Sequence, residues 1–463
     1  MTTRLVGLVL AAGKGSRFKS ASPKVLHPLL GKSMLRHVLE AVLGLKPAGV
    51  LVVAGAAKDA VAAEAAPLGA RLAEQASPKG TAHAVLAARK TFVAERGEDI
   101  LVVPGDMPLV RREALASLVS RHRRKGNALT VMSAVLANPA GYGRLVRTGE
   151  GAWKVVEERE ASARVKAVRE VNSGIYVFKA KDLLWALPRI SNRNRAGEYY
   201  LTDAVGLLAA AGRMVDVFPN PCPEDILQVN TRADLARACD VLRLRKLLAL
   251  AESGVSVLSP STTWVDVTAK IGPDTTLYPS VVVEGETVIG ARCRVYPGAH
   301  LRNARLGDDV HVLTSTVVED ATLEDGVQAG PFARLRPKTV LRRGSRVGNF
   351  VELKNTDFGR GSKAMHLTYL GDSEVGQGAN IGAGTITCNY DGRRKNKTVI
   401  DDGVFIGSGT ELVAPLKVGR GAYIGAGSTV TKDVAADALA VARARQVQKP
   451  GWAKYRREKG SAA

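Results

Sequence analysis

A chain of 463 residues with 46% apolar side chains is long enough for two or more cores, and its composition excludes an intrinsically disordered protein. Sixty-six Lys and Arg against 44 Asp and Glu leave a formal charge of +22, which points toward anionic ligands or partners. No apolar run reaches the roughly 18 residues of a membrane span, the N-terminus lacks the pattern of a signal peptide, and four scattered cysteines form no CxxC pair. A cytoplasmic protein with free thiols is therefore expected.

The chain opens on the apolar run Leu5 to Leu10, followed by a basic, glycine-rich loop around Gly13, Lys14, Gly15 and Arg17. Gly7 lies one residue too far from Gly13 for a Walker phosphate loop, and Gly15 stands at its hydroxyl position. Phe18 occupies the place of the third glycine in a dinucleotide fingerprint. Two readings remain: an ordinary strand-to-helix turn, or a turn in which Gly13 and Gly15 admit an anion while Lys14, Arg17 and Lys24 supply charge.

Further along, "LVGLVL", "VLVVAG", "ILVVPGD" and "ALTVMSAVL" read as buried strands, with "SMLRHVLEAVLGL" and "GTAHAVLAARKTF" as amphipathic helices. Their alternation predicts an α/β domain with a mostly parallel sheet over residues 1–230. Asp106 follows one of these strands at its carboxyl end, where open α/β sheets bind ligands. A connecting helix is expected over 231–253, with Thr231 able to cap it, Gly254 stopping it, and Leu235, Val241, Leu244 and Leu248 near one face.

From residue 254 to 463 the period changes. Ile271, Leu277, Val283, Ile289, Val295 and Leu301 recur every sixth residue, and Ile400, Ile406, Leu412, Val418, Ile424 and Val430 do so again. That period predicts a parallel β-helix of three-sided coils, about nine or ten in number and about 4.8 Å apart, with one aliphatic residue inward per side. Such a prism is filled, so its chemistry must lie outside. Residues 328 to 398 depart from the repeat and bring Arg336, Glu352, Lys354, His366, Tyr369, Asn380, Asn389, Tyr390 and Lys395 into consecutive coils. A histidine among acidic and basic groups is the makeup of a general base beside an anion pocket. The basic clusters "RHRRK" (121–125) and 443–459 lack a nucleic-acid-binding motif around them, and no nucleic-acid partner is expected.

These residues resemble a known family. "LVLAAGKGSRF", "PKVLH", "GTAHA", "GDMPL", "GYGRL", "VNSGIY" and "GEYYLTD", then "GPFARLRP", "VGNFVELK", "HLTYLGD", "NIGAGTITCNYDG" and "VFIGSGTELVAP", are similar to the bifunctional bacterial N-acetylglucosamine-1-phosphate uridylyltransferase/glucosamine-1-phosphate acetyltransferases over nearly the whole chain. Ser16 departs from the threonine frequent in that family, and the last twenty residues are more basic and poorly matched.

The resemblance implies a Rossmann-like nucleotidyltransferase domain and a left-handed β-helix, acting in UDP-N-acetylglucosamine synthesis with UTP and acetyl-CoA as co-substrates. Leu10, Ala11, Ala12, Gly13 and Gly105 would then lie near the nucleotide, with Gln75, Gly80 and Thr81 reading uracil. Arg17 would stabilise departing pyrophosphate and Lys24 would face the attacking sugar phosphate. Gly143, Glu157 and Asn172 would contact the sugar, and Asp106 with Asn230 would hold Mg2+. In the second site His366 would be the base and Glu352 its orienting group. Arg336, Lys354, Tyr369 and Lys395 would hold the sugar phosphate, with Asn380 helping. Ala383, Asn389, Tyr390, Ser408, Ala426 and Arg443 match acetyl-CoA positions. A homotrimer with acetyl-transfer pockets between neighbouring prisms is implied. A single-activity nucleotidyltransferase with a regulatory or oligomerising prism is the alternative.

Overall fold

The computed structural model describes residues 4–13, 15–148 and 151–460, so Lys14, one of the cations expected in the opening loop, lies outside the described residues. The chain forms two compact units that divide between Arg245 and Lys246.

In the first unit a nine-stranded sheet carries the order Val215–Pro219, Leu129–Val135, Glu170–Lys179, Asp99–Pro104, Leu5–Leu10, Gly49–Ala54, Arg71–Glu74, with the hairpin Arg144–Arg147 and Trp153–Val156 attached to Glu170–Lys179. Leu5–Leu10 pairs in parallel with both of its neighbours, whereas Glu170–Lys179 runs antiparallel between Asp99–Pro104 and Leu129–Val135. The central strands are aliphatic on both faces because helices cover both faces. Along Leu5–Leu10, Leu5 and Val9 enter one core while Val6 and Leu8 enter the other. Helices Met34–Leu43 and Arg112–Lys125 cover the first core with Leu35, Val38, Leu115 and Leu118, and Asp203–Ala210 covers the second with Val205 and Leu208. Ser33 caps the first of these helices by accepting from the Arg36 N–H at 3.0 Å.

Two readings of the sequence are adjusted by this architecture. The segment expected as one helix from Gly80 onward is two, Thr81–Ala87 and Arg89–Ala94, joined at the buried Ala88. The basic run 121–125 forms the last turn of its helix, where Arg121 and Lys125 share Asp216 and Arg123 pairs with Asp99.

The helix Arg232–Glu252 starts at Thr231, whose hydroxyl accepts from the Asp234 N–H at 3.2 Å, and stops at Gly254, where φ is +90°. Its apolar stripe is not the expected one. Leu244 and Leu248 are exposed, while Leu247 and Leu250 enter the core of the second unit. A helix whose first turns belong to one unit and last turns to another has no reason to keep one apolar face along its length.

The second unit is a β-helix of parallel strands. One face runs through eleven short strands from Ser256–Val257 to Leu439–Ala440, and every pairing along it is parallel. Leu277, Val295, Val312, Ala329, Val347, Ala364, Ile381, Ile406 and Ile424 stack up the interior of that face, all buried. The repeat first slips after Leu301, whose successor is Leu306, and five-residue sides recur through the middle coils. The coil between Ile381 and Ile406 is longer than its neighbours, and the extra residues leave the stack as a loop closed by a bridge between Tyr390 and Lys395. Several corner hydroxyls are buried and bonded to nearby carbonyls, as Thr385 to Gly382 at 2.7 Å and Thr410 to Gly407 at 2.6 Å. The four cysteines are free thiols.

Leu353 is fully buried, paired with Leu335 in the coil below and Leu370 in the coil above. Leu353→Ala is expected to destabilise the second unit by about 2–5 kcal/mol, measured by denaturant unfolding.

Candidate functional site

At the carboxyl ends of strands Leu5–Leu10 and Asp99–Pro104 a cavity of about 590 Å³ opens between loops. Leu10, Ala11, Ala12, Gly13, Lys24, Gln75, Gly80, Thr81, Asp106, Gly143, Glu157 and Asn172 line it together, although they come from eight separate segments of sequence. Parallel strands that end on the same side account for the first half of that set. Gly105 closes the floor through its N–H, which donates to Leu10 O at 2.8 Å.

The end of the cavity by Gln75 is rigid. Its buried amide donates to Gly80 O at 3.2 Å and pairs with His83 Nδ1 at 3.0 Å, a histidine that the motif reading did not single out. Gly80 adopts φ +107° and leaves no room for a side chain, since an added Cβ would lie 2.5 Å from Tyr199 O. The Thr81 hydroxyl accepts from the Leu201 N–H, so it fixes the loop 199–202 against the cavity.

At the opposite end Glu157 and Asn172 face each other from the hairpin side. Thr202 donates its hydroxyl to Glu157 Oε1 at 3.0 Å, and Asn172 Nδ2 donates to Tyr176 Oη at 2.7 Å. Burial pushes the Glu157 carboxyl above its usual range, aided by the neighbouring charges of Asp203 and Glu160 and opposed by the Thr202 bond. Arg144 is buried beneath this hairpin and ties it together through the carbonyls of Tyr142 and Lys166 and an ion pair with Glu158 at 2.8 Å. Its apolar surroundings gave it no signature in the sequence beyond its place in "GYGRL".

A third cluster sits beside Gly13. Lys24 Nζ donates to Asp106 Oδ2 at 2.6 Å and to Asn230 Oδ1 at 3.0 Å, and Arg17 Nη2 reaches the same Asn230 oxygen at 3.0 Å. Thus the two cations and the two oxygen groups singled out separately in the sequence meet at one point. Asp106 and Asn230 offer two hard oxygens converging on a positive charge. That donor set fits Mg2+, which keeps several waters and takes its remaining ligands from phosphates. Among the described residues no group of three or more His, Cys, Asp or Glu offers a softer metal site.

The second unit assembles its residues by stacking. Backbone bonds from Leu367 N to Asn349 O, Gly384 N to Leu367 O, Gly409 N to Ala383 O and Gly427 N to Ser408 O align successive corners. Asn349, His366, Ala383, Ser408 and Ala426 therefore form one column, and Arg443 lies over Gly427 at its end. The residues above His366 in this column, Ala383, Ser408 and Ala426, are all small.

Beside it, Glu352 pairs with Tyr369 in the strand ladder, and Lys354 lies opposite Gly371. Asn380 stands on the other side of the corner, on the strand between Lys363 and Phe405. The orienting contact to His366 differs from the expected one: Nδ1 lies 2.7 Å from Asn349 Oδ1, while Glu352 takes Arg336 Nη1 at 2.8 Å. Register explains this, because Asn349 is the residue directly below His366 and Glu352 belongs to the next side of the coil. An amide oxygen at Nδ1 places the ring proton there and leaves Nε2 as the basic nitrogen.

Lys354 and Lys395 crowd each other, and that proximity pushes the Lys395 ammonium below its usual range. Asp372 lies 3.6 Å from Lys354 Nζ. Burial disfavours its charge, yet bonds from Asn355 and Asn389 and the charges of Lys354 and Lys395 hold its carboxyl below the usual range. Two ammonium groups facing one carboxylate leave net positive charge for an anion. Tyr390 is exposed on the same loop, with its hydroxyl donated to Gly392 O.

Comparison with known proteins bears on both units. Residues 7–172 match the MobA-like NTP transferase domain, and residues 397–432 match the bacterial transferase hexapeptide with its six repeats. The chain is 44% identical over 454 residues to the bifunctional protein GlmU of Thermotoga maritima, covering 97% of this chain and 99% of that one. It is 44% identical over 449 residues to the protein of the same name from Carboxydothermus hydrogenoformans, covering 97% and 100%. The chain belongs to the bifunctional GlmU family. A third GlmU, from Fervidobacterium nodosum, is 45% identical over 454 residues, covering 97% of each chain. A GlmU-type chain thus carries a nucleotidyltransferase unit and a hexapeptide-repeat unit, and no helix among its described residues is long and apolar enough to cross a membrane.

The raised Glu157 carboxyl has a consequence for stability. Its contribution is fully present below its unfolded-state pKa and is lost as pH rises through the folded one, so near neutral pH the ionised group is a burden on the fold. Glu157→Gln is expected to raise the thermal midpoint of the first unit at pH 7.5, with the gain vanishing near pH 4. Calorimetry across that range measures the difference.

Proposed function

We infer that the protein acetylates glucosamine-1-phosphate with acetyl-CoA and then joins the product to UTP, giving UDP-N-acetylglucosamine and pyrophosphate. The observation that carries this reading is the presence on one GlmU-family chain of two unlike constellations. One is a cavity ending at Lys24, Asp106 and Asn230, and the other is a corner column led by His366. The boundaries adopted are 1–230 for uridylyl transfer, 231–253 for the linking helix and 254–463 for acetyl transfer.

In the first site UTP lies over Leu10 to Gly13 and Gly105, with uracil against Gln75, Gly80 and Thr81. Fixed amide edges of this kind reject a base whose polar edge does not match, because a buried donor would be left unpaired. The sugar of N-acetylglucosamine-1-phosphate lies between Gly143, Glu157 and Asn172. Its phosphate meets Lys24 and displaces pyrophosphate in line at the α-phosphorus, while Arg17 stabilises the departing charge. Asp106 and Asn230 are the residues that would hold Mg2+, whose contribution is to neutralise charge on the phosphates.

In the second site the sugar phosphate is held by Arg336, Lys354, Tyr369 and Lys395, with Asn380 completing the substrate's surroundings. Asn349 fixes the His366 ring so that Nε2 accepts the proton of the amine as it attacks the thioester. Glu352 holds Arg336 extended toward the phosphate. Ala383, Ser408 and Ala426 provide the track for acetyl-CoA, with Asn389, Tyr390 and Arg443 at its margins. A homotrimer that closes this open corner against a neighbouring prism, working in the cytoplasm, completes the proposal.

The two activities should separate by mutation. His366→Ala is expected to lower acetyl-transfer turnover by roughly 10² to 10⁴-fold and leave uridylyl transfer intact, while Asp106→Ala does the reverse. Paired assays on the same folded preparations check this, and equal loss of both activities in either variant would sink the two-site reading. Chelation gives a second check: excess EDTA should stop uridylyl transfer and leave acetyl transfer unchanged.

A further inference from the structure

Lys24 is placed where a cation bound to Asp106 and Asn230 would be. Its ammonium takes Asp106 Oδ2 at 2.6 Å and Asn230 Oδ1 at 3.0 Å, with the Lys24 side chain only 10% exposed. The approach is built into the backbone. Gly15 adopts φ +60° against the lysine stem, and a Cβ there would lie 2.9 Å from Lys24 Cβ. Arg17 bonds Asn230, whereas Lys24 spans the oxygens of both Asp106 and Asn230.

A divalent cation of Mg2+ size needs oxygen ligands at about 2.0–2.1 Å, which would bring it within a few ångströms of an ammonium that kept both bonds. At that separation two positive charges repel strongly, and they compete for the same lone pairs. A cation that takes both oxygens is therefore strongly disfavoured while the ammonium keeps its two bonds.

We propose that Lys24 is a resident counter-ion that closes the cation site of the free protein, and that its departure from Asp106 and Asn230 is coupled to cation entry. The proposal rests on the reading of Asp106 and Asn230 as cation ligands. Displacement has a second effect: the same ammonium is released toward the phosphate side of the cavity only when the cation's charge is in place. In the absence of nucleotide, the lysine keeps cation affinity low. With nucleotide present, phosphate oxygens compensate both the incoming cation and the freed ammonium. The site therefore avoids an unpaired Asp106 in one state and two crowded cations in the other.

The test is Mn2+ binding to the full chain without nucleotide, read as the loss of the free-ion signal in electron paramagnetic resonance. Lys24→Met is expected to tighten Mn2+ binding by at least about tenfold, the order of removing a competing contact ion pair. Arg17→Met, which removes a neighbouring charge but not the shared ligands, should tighten it by less than about threefold. Melting curves by circular dichroism verify that each variant is folded. Equal affinities in the wild type and Lys24→Met, or equal gains in Lys24→Met and Arg17→Met, would overturn the proposal while leaving the ligand assignment standing. Adding Asp106→Ala to Lys24→Met should erase the gain. If the gain survives that change, Asp106 is not the ligand, and the assignment falls together with the proposal.

Discussion

Parallel pairing of the backbone is the constraint on which both units rest. Parallel strands cannot be joined by tight hairpins, so each returns through a helix or a full coil, and equivalent points of successive passes come to lie side by side. In the first unit this collects the ends of Leu5–Leu10 and Asp99–Pro104 at one rim, where the loops containing Gly13 and Asp106 meet. In the second it sets Asn349 beneath His366 and His366 beneath Ala383, residues that share no local sequence pattern. The same hydrogen-bond geometry thus makes a cleft in one case and a column in the other.

The large positive charge is distributed according to this scaffold. Many cations close ion pairs that have no part in the sites, as Arg121 with Asp216, Arg292 with Asp309, and Arg342 with Glu324 and Asp357. Near the two constellations cations outnumber the carboxylate beside them: Lys24 bonds Asp106 with Arg17 close by on Asn230, and Asp372 faces Lys354 and Lys395. An anion entering either place completes a balance already half-made. On the exposed helix Trp452–Gly460, Lys454 lies 3.9 Å from Glu458.

What could be read from the sequence follows from what leaves a period. Strands buried on both faces appear as aliphatic runs, and one inward residue per side appears as a spacing of six, so both architectures were visible without a structure. The cavity residues were visible through motifs, and the structure gathers most of them around one cavity. Hidden from the sequence were contacts set by coil length. The spacing of 17 residues from Asn349 to His366 sets Asn349 directly beneath the ring, while Glu352 turns onto the next side of the coil, and no composition or motif carries that placement. Hidden too were polar struts such as the buried Arg144 and the half-buried His83, whose partners are main-chain or distant side-chain atoms. The stripe misread along the helix Arg232–Glu252 has a similar origin, since only its last turns, through Leu247 and Leu250, enter the core of the second unit.

The long coil between Ile381 and Ile406 shows how such a scaffold accommodates novelty. Its extra residues leave and rejoin at a corner, and Cys388 still pairs with Val413 as though nothing intervened. A chain-length change in an ordinary packed domain displaces everything downstream, whereas here it is absorbed as a single loop closure whose entropy grows only slowly with length. Each corner is in this sense a docking bay for inserted sequence: Tyr390 and Lys395 arrive on such a detour, and the coils above resume their register. Chemistry can be added to a prism of this kind one excursion at a time, without the rest of the molecule having to be refolded around it.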